Sequence, residues 1–196
     1  MKFESYHQEK RYYERQASEE EFLAWYHQQD LPTYEKPSVT VDNLIFGYED
    51  NQLKILLIKR KSHPFINHFA FPGGFLKKTE SPDESAIREA EEETGLKLEP
   101  HHLQQFKTIG TPGRDPRAWV MTIAYLVFLP TMKDLQVRAG GDANDVQWLT
   151  LEEALQAELA FDHKEILLDV VGHLKKNNSV KVLGDHAVEI VKSIPA

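Results

Sequence analysis

The sequence contains no cysteine, which excludes disulfide bonds and thiol chemistry. It has no apolar run of membrane-spanning length, and its first residues lack the apolar stretch of a signal peptide. We therefore expect a cytoplasmic protein without a membrane partner. Basic residues are in the minority, with 23 Lys and Arg against 31 Asp and Glu, so the net charge is −8. Because no long basic cluster offsets this charge, nucleic acid is not expected as a partner.

The length of 196 residues suits one domain with an extension at each end, and 41% hydrophobic residues are enough to build a core. We expect an N-terminal helical extension over residues 1–36, a central domain over 37–160 and a C-terminal helical extension over 161–196. Pro32 and Pro37 mark the linker that leads into the central domain.

Hydrophobic periodicity predicts the elements of these segments. Alternating or continuous apolar runs predict strands at 39–48, 53–60, 69–72, 103–109, 119–129 and 145–149. Apolar stripes with a period near 3.6 predict helices at 19–28, 151–158 and 163–176. The last residues predict a strand at 180–183 followed by a helix over 187–194.

An acidic segment near the middle of the chain predicts a further, well-delimited helix. Ser81 is suited to the N-cap, Pro82 to the first helical position, and Glu84 completes a capping box. Gly95 is suited to the C-terminal stop.

The carboxylates of this helix are so closely spaced that their ionised forms repel one another unless a positive charge lies nearby. Glu89, Glu92 and Glu93 fall at i, i+3 and i+4, so their side chains share one face. A hard divalent cation such as Mg²⁺ would relieve their repulsion. Arg88 can hold acidic neighbours through forked hydrogen bonds, and Glu80 can fold back toward the same face. A solvated acidic helix without a ligand is the alternative interpretation.

The spacing around this helix reproduces the signature of a known family. It reads Gly, five residues, Glu, seven residues, Arg-Glu, two residues, Glu-Glu, one residue, Gly and an aliphatic residue. The chain resembles the Nudix hydrolases at Gly74, Glu80, Arg88, Glu89, Glu92, Glu93, Gly95 and Leu96. A mild departure is Ala90, where a larger aliphatic residue is also common. The resemblance implies the Nudix fold, an α/β (α+β) protein built as an α/β/α sandwich with a mixed sheet, whereas the element pattern alone indicates only mixed α and β.

The resemblance also implies a chemistry. Nudix hydrolases use Mg²⁺ or Mn²⁺ and cleave a nucleoside diphosphate that is linked to another moiety. Glu80 and Arg88 would hold the loop and the helix in place and complete the catalytic set. The general base stays open between one of the glutamates and an acid from another loop. The metal-ligand candidates are Glu89, Glu92, Glu93 and the backbone carbonyl of Gly74.

Segments outside the helix narrow the resemblance to one branch of the family. They are Pro37–Asp42, Leu53–Lys61, His63–Phe65, Phe71–Phe75, Gly113–Arg117 and Tyr125. Over roughly residues 37–165, the chain is similar to the branch that contains ADP-ribose pyrophosphatase-like proteins and the Nudix-related transcriptional regulators of NAD metabolism.

Several residues of these segments are candidates for substrate binding. Arg114 and Arg117 are fork donors that suit a diphosphate or a terminal ribose, although a turn tied by an Asp115–Arg pair is the alternative. Phe65 or Phe69 either stacks on an adenine ring or packs in the core. The predicted substrate-binding set is Arg60, Arg114, Arg117, Gly73 and Phe71.

The function that we expect is Mg²⁺-dependent hydrolysis of the diphosphate bridge of ADP-ribose or a related sugar nucleotide. One alternative is a regulator that senses ADP-ribose without hydrolysing it, and another is a housecleaning pyrophosphohydrolase of nucleoside triphosphates. The regulators carry a C-terminal winged helix and often a degraded signature, so the intact signature and the short C-terminal segment favour the enzyme. Related domains often pair, so a homodimer is considered by analogy.

Overall fold

The computed structural model describes residues 3–29, 35–132, 135–177 and 179–194. The chain divides into two compact units, residues 1–36 and residues 37–196. Pro32, which we assigned to the linker, lies outside the described residues. No helix in the described part of the chain combines the length and apolar character that crossing a membrane requires.

The N-terminal unit contains two helices, α1 (Tyr6–Arg15) and α2 (Glu19–Tyr26). The predicted helix near 19–28 is confirmed, and it begins at a capping box formed by Ser18 and the glutamate three residues later. The helix α1 was not predicted. Tyr13 of α1 stacks on Trp25 of α2 with 5.0 Å between the ring centroids, so aromatic contacts join the two helices.

The second unit is built on one sheet with helices along the chain between and after its strands. The strands are β1 (Ser38–Glu49), β2 (Gln52–Arg60), β3 (Phe69–Ala70), β4 (Gly73–Phe75), β5 (Leu103–Ile109), β6 (Val120–Leu129) and β7 (Ala143–Thr150). The helices are α3 (Pro82–Thr94), α4 (Leu151–Gln156), α5 (His163–Asn177) and α6 (Asp185–Ser193).

The strand order of the sheet is β3-β2-β1-β6-β5, with β4 pairing with β1 and β7 pairing with β2. The central pair β1 and β6 is parallel, and the other pairs are antiparallel, so the sheet is mixed as the resemblance implied. Two strands share one edge of β1. Its first half pairs with β4 and its second half pairs with β2.

Helices cover both faces of the sheet. Successive residues of a strand point to opposite faces, so each strand contributes side chains to the packing on both sides. On one face, Ile45 and Leu56 pack in a buried cluster with Ala90 of α3. On the other face, Phe46 belongs to a larger buried cluster with Val170 of α5 and with residues of α4 and α6. The predicted α/β/α sandwich is confirmed.

One predicted strand is wrong. Residues 180–183 form part of a 3₁₀ helix, Ser179–Leu183, and not a strand. Val180 and Leu183 are three residues apart and both are buried, so a helical turn buries them on one side against the core. The final helix was predicted correctly but begins at Asp185 rather than at 187.

Candidate active site

Local sequence fixes both ends of α3, the helix that carries the carboxylates. Ser81 caps the first turn and forms the predicted capping box with Glu84, and Pro82 occupies the first helical position. Gly95 ends the helix with φ of 76°, a left-handed conformation that favours glycine. The sheet then fixes where α3 lies, since the Asn43 side chain of β1 donates to the carbonyl of Ala86 at 3.0 Å.

Arg88 is the centre of an ion-pair network on the exposed side of α3. Its Nε and Nη2 donate to the two carboxylate oxygens of Glu80 at 2.8 and 2.6 Å. Its Nη1 donates to Glu89 at 2.6 Å and to Glu92 at 3.1 Å. These charge-assisted bonds hold the pKa of Glu80 at about 2 and raise the pKa of Arg88. Arg88 thus ties the segment before α3 to two of the predicted metal ligands.

Glu93 is the most deeply buried carboxylate of the helix, with 5% of the residue exposed. Its Oε2 accepts a hydrogen bond from the backbone N–H of Gly73 at 2.9 Å. Burial raises its pKa to about 8, and the negative charges of Glu89, Asp142 and Asp42 act in the same direction. Burial also raises the pKa of Glu89, although Arg88 partly opposes this. Burial at this site therefore disfavours the ionised forms of both carboxylates.

The backbone of Gly74 lies directly against the carboxylate of Glu89. A Cβ at this glycine would overlap the Glu89 oxygens, so any larger residue would push the side chain away. The neighbouring Gly73 has no room for a Cβ either, because the carbonyl of Val41 occupies that space. The close approach of strand β4 to α3 thus depends on both glycines.

The donor set fits a hard divalent cation. Such ions prefer carboxylate and carbonyl oxygens, and the partly buried Glu89 and the buried Glu93 present carboxylates that lack much of the hydration they would have in water. In the described part of the chain, no three His, Asp or Glu side chains already converge as a metal-binding group. Glu89 and Glu92 each form an ion pair with Arg88 in this arrangement.

The carboxylate face of α3 opens into a cleft of about 540 Å³, a volume in the range of nucleotide-sized ligand sites. Glu89, Glu92 and Glu93 line one wall. The loop before β7 also reaches the cleft with Asp142, because Gly140 donates its backbone N–H to the carbonyl of Glu93. The other described lining residues include Asp42, Arg60, Phe71, Gly73, Gly74, Phe75, Arg114, Asp115, Arg117, Phe161 and His163.

The predicted substrate-binding residues all line this cleft. The arginines among them differ in the hydrogen-bond partners of their guanidinium groups. Arg60 donates from Nε to the carbonyl of Pro64 at 2.9 Å. Its pKa is lowered, first by burial and then by the positive charge of Arg117. Arg117 forms a forked pair with Asp115, as in the Asp–Arg turn that we considered from sequence. The cleft is thus lined by these two guanidinium groups as well as by the glutamates.

Arg114 lines the cleft, and its guanidinium group is held by acidic side chains. Its side chain is 5% exposed, and its Nε and Nη2 donate to both oxygens of Asp162 at 2.9 and 2.7 Å. Its Nη2 also lies 3.8 Å from the carboxylate of Asp42. Arg114 is thus tied to Asp162, whereas the side chain of Arg117 is 41% exposed.

Sequence reasoning missed the turn before α5 and the first residue of that helix, which contribute Phe161 and His163 to the cleft lining. Phe161 has a φ of 53°, a strained value for an aromatic residue. The Cζ atoms of Arg60 and Arg117 lie 4.9 and 5.4 Å from its ring centroid. His163 follows and is buried under Phe71, whose ring stacks on the imidazole at 4.6 Å. No short motif marks these residues, and the only available signal was their position at the start of a predicted helix.

The two phenylalanines that we considered for adenine stacking are not among the described residues that line the cleft. Phe65 packs edge-on against Phe161, with 4.9 Å between the ring centroids. Phe69 pairs with Lys59 in the sheet and packs against the main core. The packing alternative describes both positions in this structure.

Comparison with known proteins identifies the family to which the chain belongs. The NUDIX domain model matches residues 36–170. The chain is 40% identical over 136 residues to the ADP-ribose pyrophosphatase of Methanocaldococcus jannaschii, covering 69% of this chain and 74% of the relative. It is 36% identical over 167 residues to the ADPR responsive transcriptional repressor NtrR of Acinetobacter baylyi, covering 84% of this chain and 63% of the repressor.

A solved structure gives the same result for the fold. The crystal structure of a MutT/nudix family protein from Enterococcus faecalis superposes with a TM-score of 0.82 at 40% identity. The match covers 98% of this chain and 81% of that chain. With the signature helix, the sandwich fold and the matched domain in agreement, the chain belongs to the Nudix family.

Proposed function

We propose that the protein is a divalent-metal-dependent hydrolase that cleaves the diphosphate bridge of a nucleoside diphosphate derivative. The observation that carries this proposal is the charge composition of the cleft, which is lined both by the carboxylates of α3 and by Arg60 and Arg117. A diphosphate needs cations on both sides, because its oxygens repel one another and gain charge during cleavage. The arginines supply one side, and a metal ion at the carboxylates would supply the other.

Glu89, Glu92, Glu93 and the carbonyl of Gly74 would hold this metal ion, for which we propose Mg²⁺ or Mn²⁺. When bound, the ion neutralises phosphate oxygens and lowers the pKa of a coordinated water. The protein supplies the positions of the ligands. Arg88 binds Glu89 and Glu92, and its own place is fixed by the forked pair with Glu80.

The remaining groups of the cleft orient the substrate. Arg60 and Arg117 would bind phosphate or ribose oxygens, with Phe161 holding both guanidinium groups in place. Gly73 presents its N–H to Glu93, which keeps that carboxylate directed into the cleft. Of the two general bases that we left open, the acid from another loop now has a specific candidate in Asp142.

ADP-ribose is the substrate that we propose, because a relative with 40% identity is an ADP-ribose pyrophosphatase. Attack of water on one phosphorus, with a phosphate oxygen as the leaving group, would yield AMP and ribose 5-phosphate. A substrate panel tests this choice. The purified protein is incubated with Mg²⁺ and ADP-ribose, other sugar nucleotides or nucleoside triphosphates, and the products are identified by mass. Preferred cleavage of triphosphates to a monophosphate and pyrophosphate would replace the proposed substrate class.

A second candidate function is a non-hydrolytic response to ADP-ribose. It is favoured by the similarity to an ADPR responsive repressor. The match covers 84% of this chain and 63% of the length of that repressor. Calorimetry separates the two functions when it is run beside the turnover assay. Tight binding of ADP-ribose without products would identify a sensor, whereas product release would identify the hydrolase.

A further inference from the structure

The backbone between β3 and β4 is held by three different elements. The N–H of Phe71 donates to Nδ1 of His163 at 3.1 Å. The carbonyl of Pro72 accepts from the N–H of Asn43 at 2.8 Å. The N–H of Gly73 donates to Glu93 at 2.9 Å. Helix α5, strand β1 and helix α3 therefore each fix one peptide group of a segment that continues to Gly74.

The contact from α5 replaces a strand partner. Strand β3 ends at Ala70, and the next residue that pairs in the sheet is Gly73. The N–H of Phe71 falls in this interruption and is buried, so it needs an acceptor from a side chain. His163 supplies that acceptor from a position 92 residues further along the chain.

The imidazole itself is fixed on its other sides. Its Nε2 lies 3.5 Å from Oδ1 of Asp42, and Oδ2 of the same carboxylate accepts from the hydroxyl of Thr122 at 2.6 Å. The ring of Phe71 stacks on the imidazole with 7° between the planes. Because Nδ1 accepts a hydrogen bond, the proton of the neutral ring is on Nε2, the nitrogen that faces Asp42.

Burial lowers the pKa of His163, although Asp42 and Asp162 oppose this. The ring therefore stays neutral, and its Nδ1 keeps the lone pair that the amide of Phe71 needs. A leucine of similar size could not accept this hydrogen bond, so the amide of Phe71 would be buried without a partner.

We propose that His163 is a positioning residue, which sets the Phe71–Gly74 segment so that Gly73 meets Glu93 and Gly74 lies against Glu89. Only the consequence of this role for catalysis rests on the proposed function. In the metal-free protein, the same contact determines where Gly73 and Gly74 lie, which can be measured without substrate.

Three substitutions of His163 separate the role of the acceptor from that of volume. In H163N, the amide oxygen takes the place of Nδ1 and can still accept from Phe71. In H163Q, the amide reaches toward the place of Nε2, and in H163L no acceptor remains. The matched control is V170A, which removes buried volume from the same helix about two turns beyond His163 and leaves the Nδ1 acceptor in place.

The first readout is the set of backbone amide resonances of Phe71, Gly73 and Gly74 in the metal-free protein, with their hydrogen-exchange rates. The second is Mn²⁺ affinity by electron paramagnetic resonance. For H163L and H163Q we expect displaced resonances, faster exchange and Mn²⁺ binding weakened about 10- to 100-fold, as for groups that orient metal ligands. H163N should stay near the wild type, and V170A should lower the melting temperature without moving the three amides.

If hydrolysis is observed, kcat of H163Q should fall with little change in KM, and H163N should restore it. The role is overturned if H163Q and H163N give the same amide resonances as the wild type, or if V170A reproduces the displacement. Should H163L fail to fold, the comparison of H163N with H163Q decides alone. Absence of ADP-ribose turnover in the wild type would count against the proposed function, whereas the amide and Mn²⁺ data would still decide the role of His163.

Discussion

Gly74 packs so closely against Glu89 that a methyl group on its Cα would overlap the carboxylate oxygens. The Glu89 side chain can rotate, but the Gly74 backbone is fixed by its pairing with Val41 of β1. A side chain at position 74 would therefore move the glutamate rather than the strand. Position 74 of the signature therefore requires glycine for a steric reason, in addition to the backbone carbonyl that we propose as a metal ligand.

The substitution G74A should leave the fold intact and weaken the site. We expect Mn²⁺ affinity and kcat to fall by about 10- to 100-fold, since Glu89 would be displaced from its place beside β4. Gly172 provides a matched control, because a Cβ there meets no atom within 4 Å. G172A, in the interior of α5, should bind Mn²⁺ normally and gain up to about 1 kcal/mol of stability. Unchanged Mn²⁺ affinity in G74A would contradict this account of the glycine.

The substitution E93Q should reduce kcat by at least about 100-fold, because a ligand of the metal contributes more than the groups that orient it. The protein should still fold, since the amide oxygen of glutamine can accept the hydrogen bond from Gly73. Circular dichroism and steady-state kinetics check both statements. E91Q is the control, because Glu91 lies on the same helix but pairs only loosely with Lys97 at 3.8 Å. Wild-type turnover of E93Q would remove Glu93 from the site.

The sequence could predict the part of the site that depends on contacts between residues close to one another in the chain. Ser81, Glu84 and Gly95 delimit α3 through contacts of a few residues, and the spacing of its glutamates follows from the helical period. The strands of the core also followed from their apolar runs, which tertiary packing then reinforced.

The part of the cleft around Arg114 and Phe161 could not be predicted, because it is assembled by tertiary contacts between distant segments. Arg114 and Asp162 are 48 residues apart, and no pattern in either segment announces that they pair. Phe161 adopts a positive φ that its residue type disfavours, so propensity argues against its conformation. The strand predicted at 180–183 was wrong for a related reason, since burial there is satisfied by a helical turn.

The two arginines of the loop before β6 should separate in their effects. R114A leaves Asp162 without its partner in a largely buried place, so we expect a loss of about 2–4 kcal/mol in the free energy of unfolding. R117A should cost less stability, because the backbone N–H of residue 117 and the charge of Arg114 still act on the buried Asp115, and it should raise KM roughly 10-fold through a lost contact to the substrate. Chemical denaturation and initial-rate kinetics measure the two effects. Equal destabilisation by both substitutions, with no change in KM, would refute this division.

The pair between Glu80 and Arg88 should appear in the acid stability of the protein. The pKa of Glu80 is lowered from 4.5 to about 2, so the folded state binds a proton less readily than the unfolded state. The contribution of Glu80 is therefore complete above about pH 4.5 and is lost as the pH falls through about 2. The stability difference between wild type and E80Q, measured by urea unfolding, should shrink across this window. A difference that stays constant down to pH 2 would show that the pair does not stabilise the folded state.

The central claim is that the cleft hydrolyses a nucleoside diphosphate derivative with a divalent metal, and one measurement tests it most directly. The protein is incubated with ADP-ribose in Mg²⁺ or in excess chelator, and the products are resolved by mass. Our account predicts AMP and ribose 5-phosphate in the presence of Mg²⁺ and neither product with the chelator. Tight binding of ADP-ribose without any product in Mg²⁺ would contradict it and would identify a sensor.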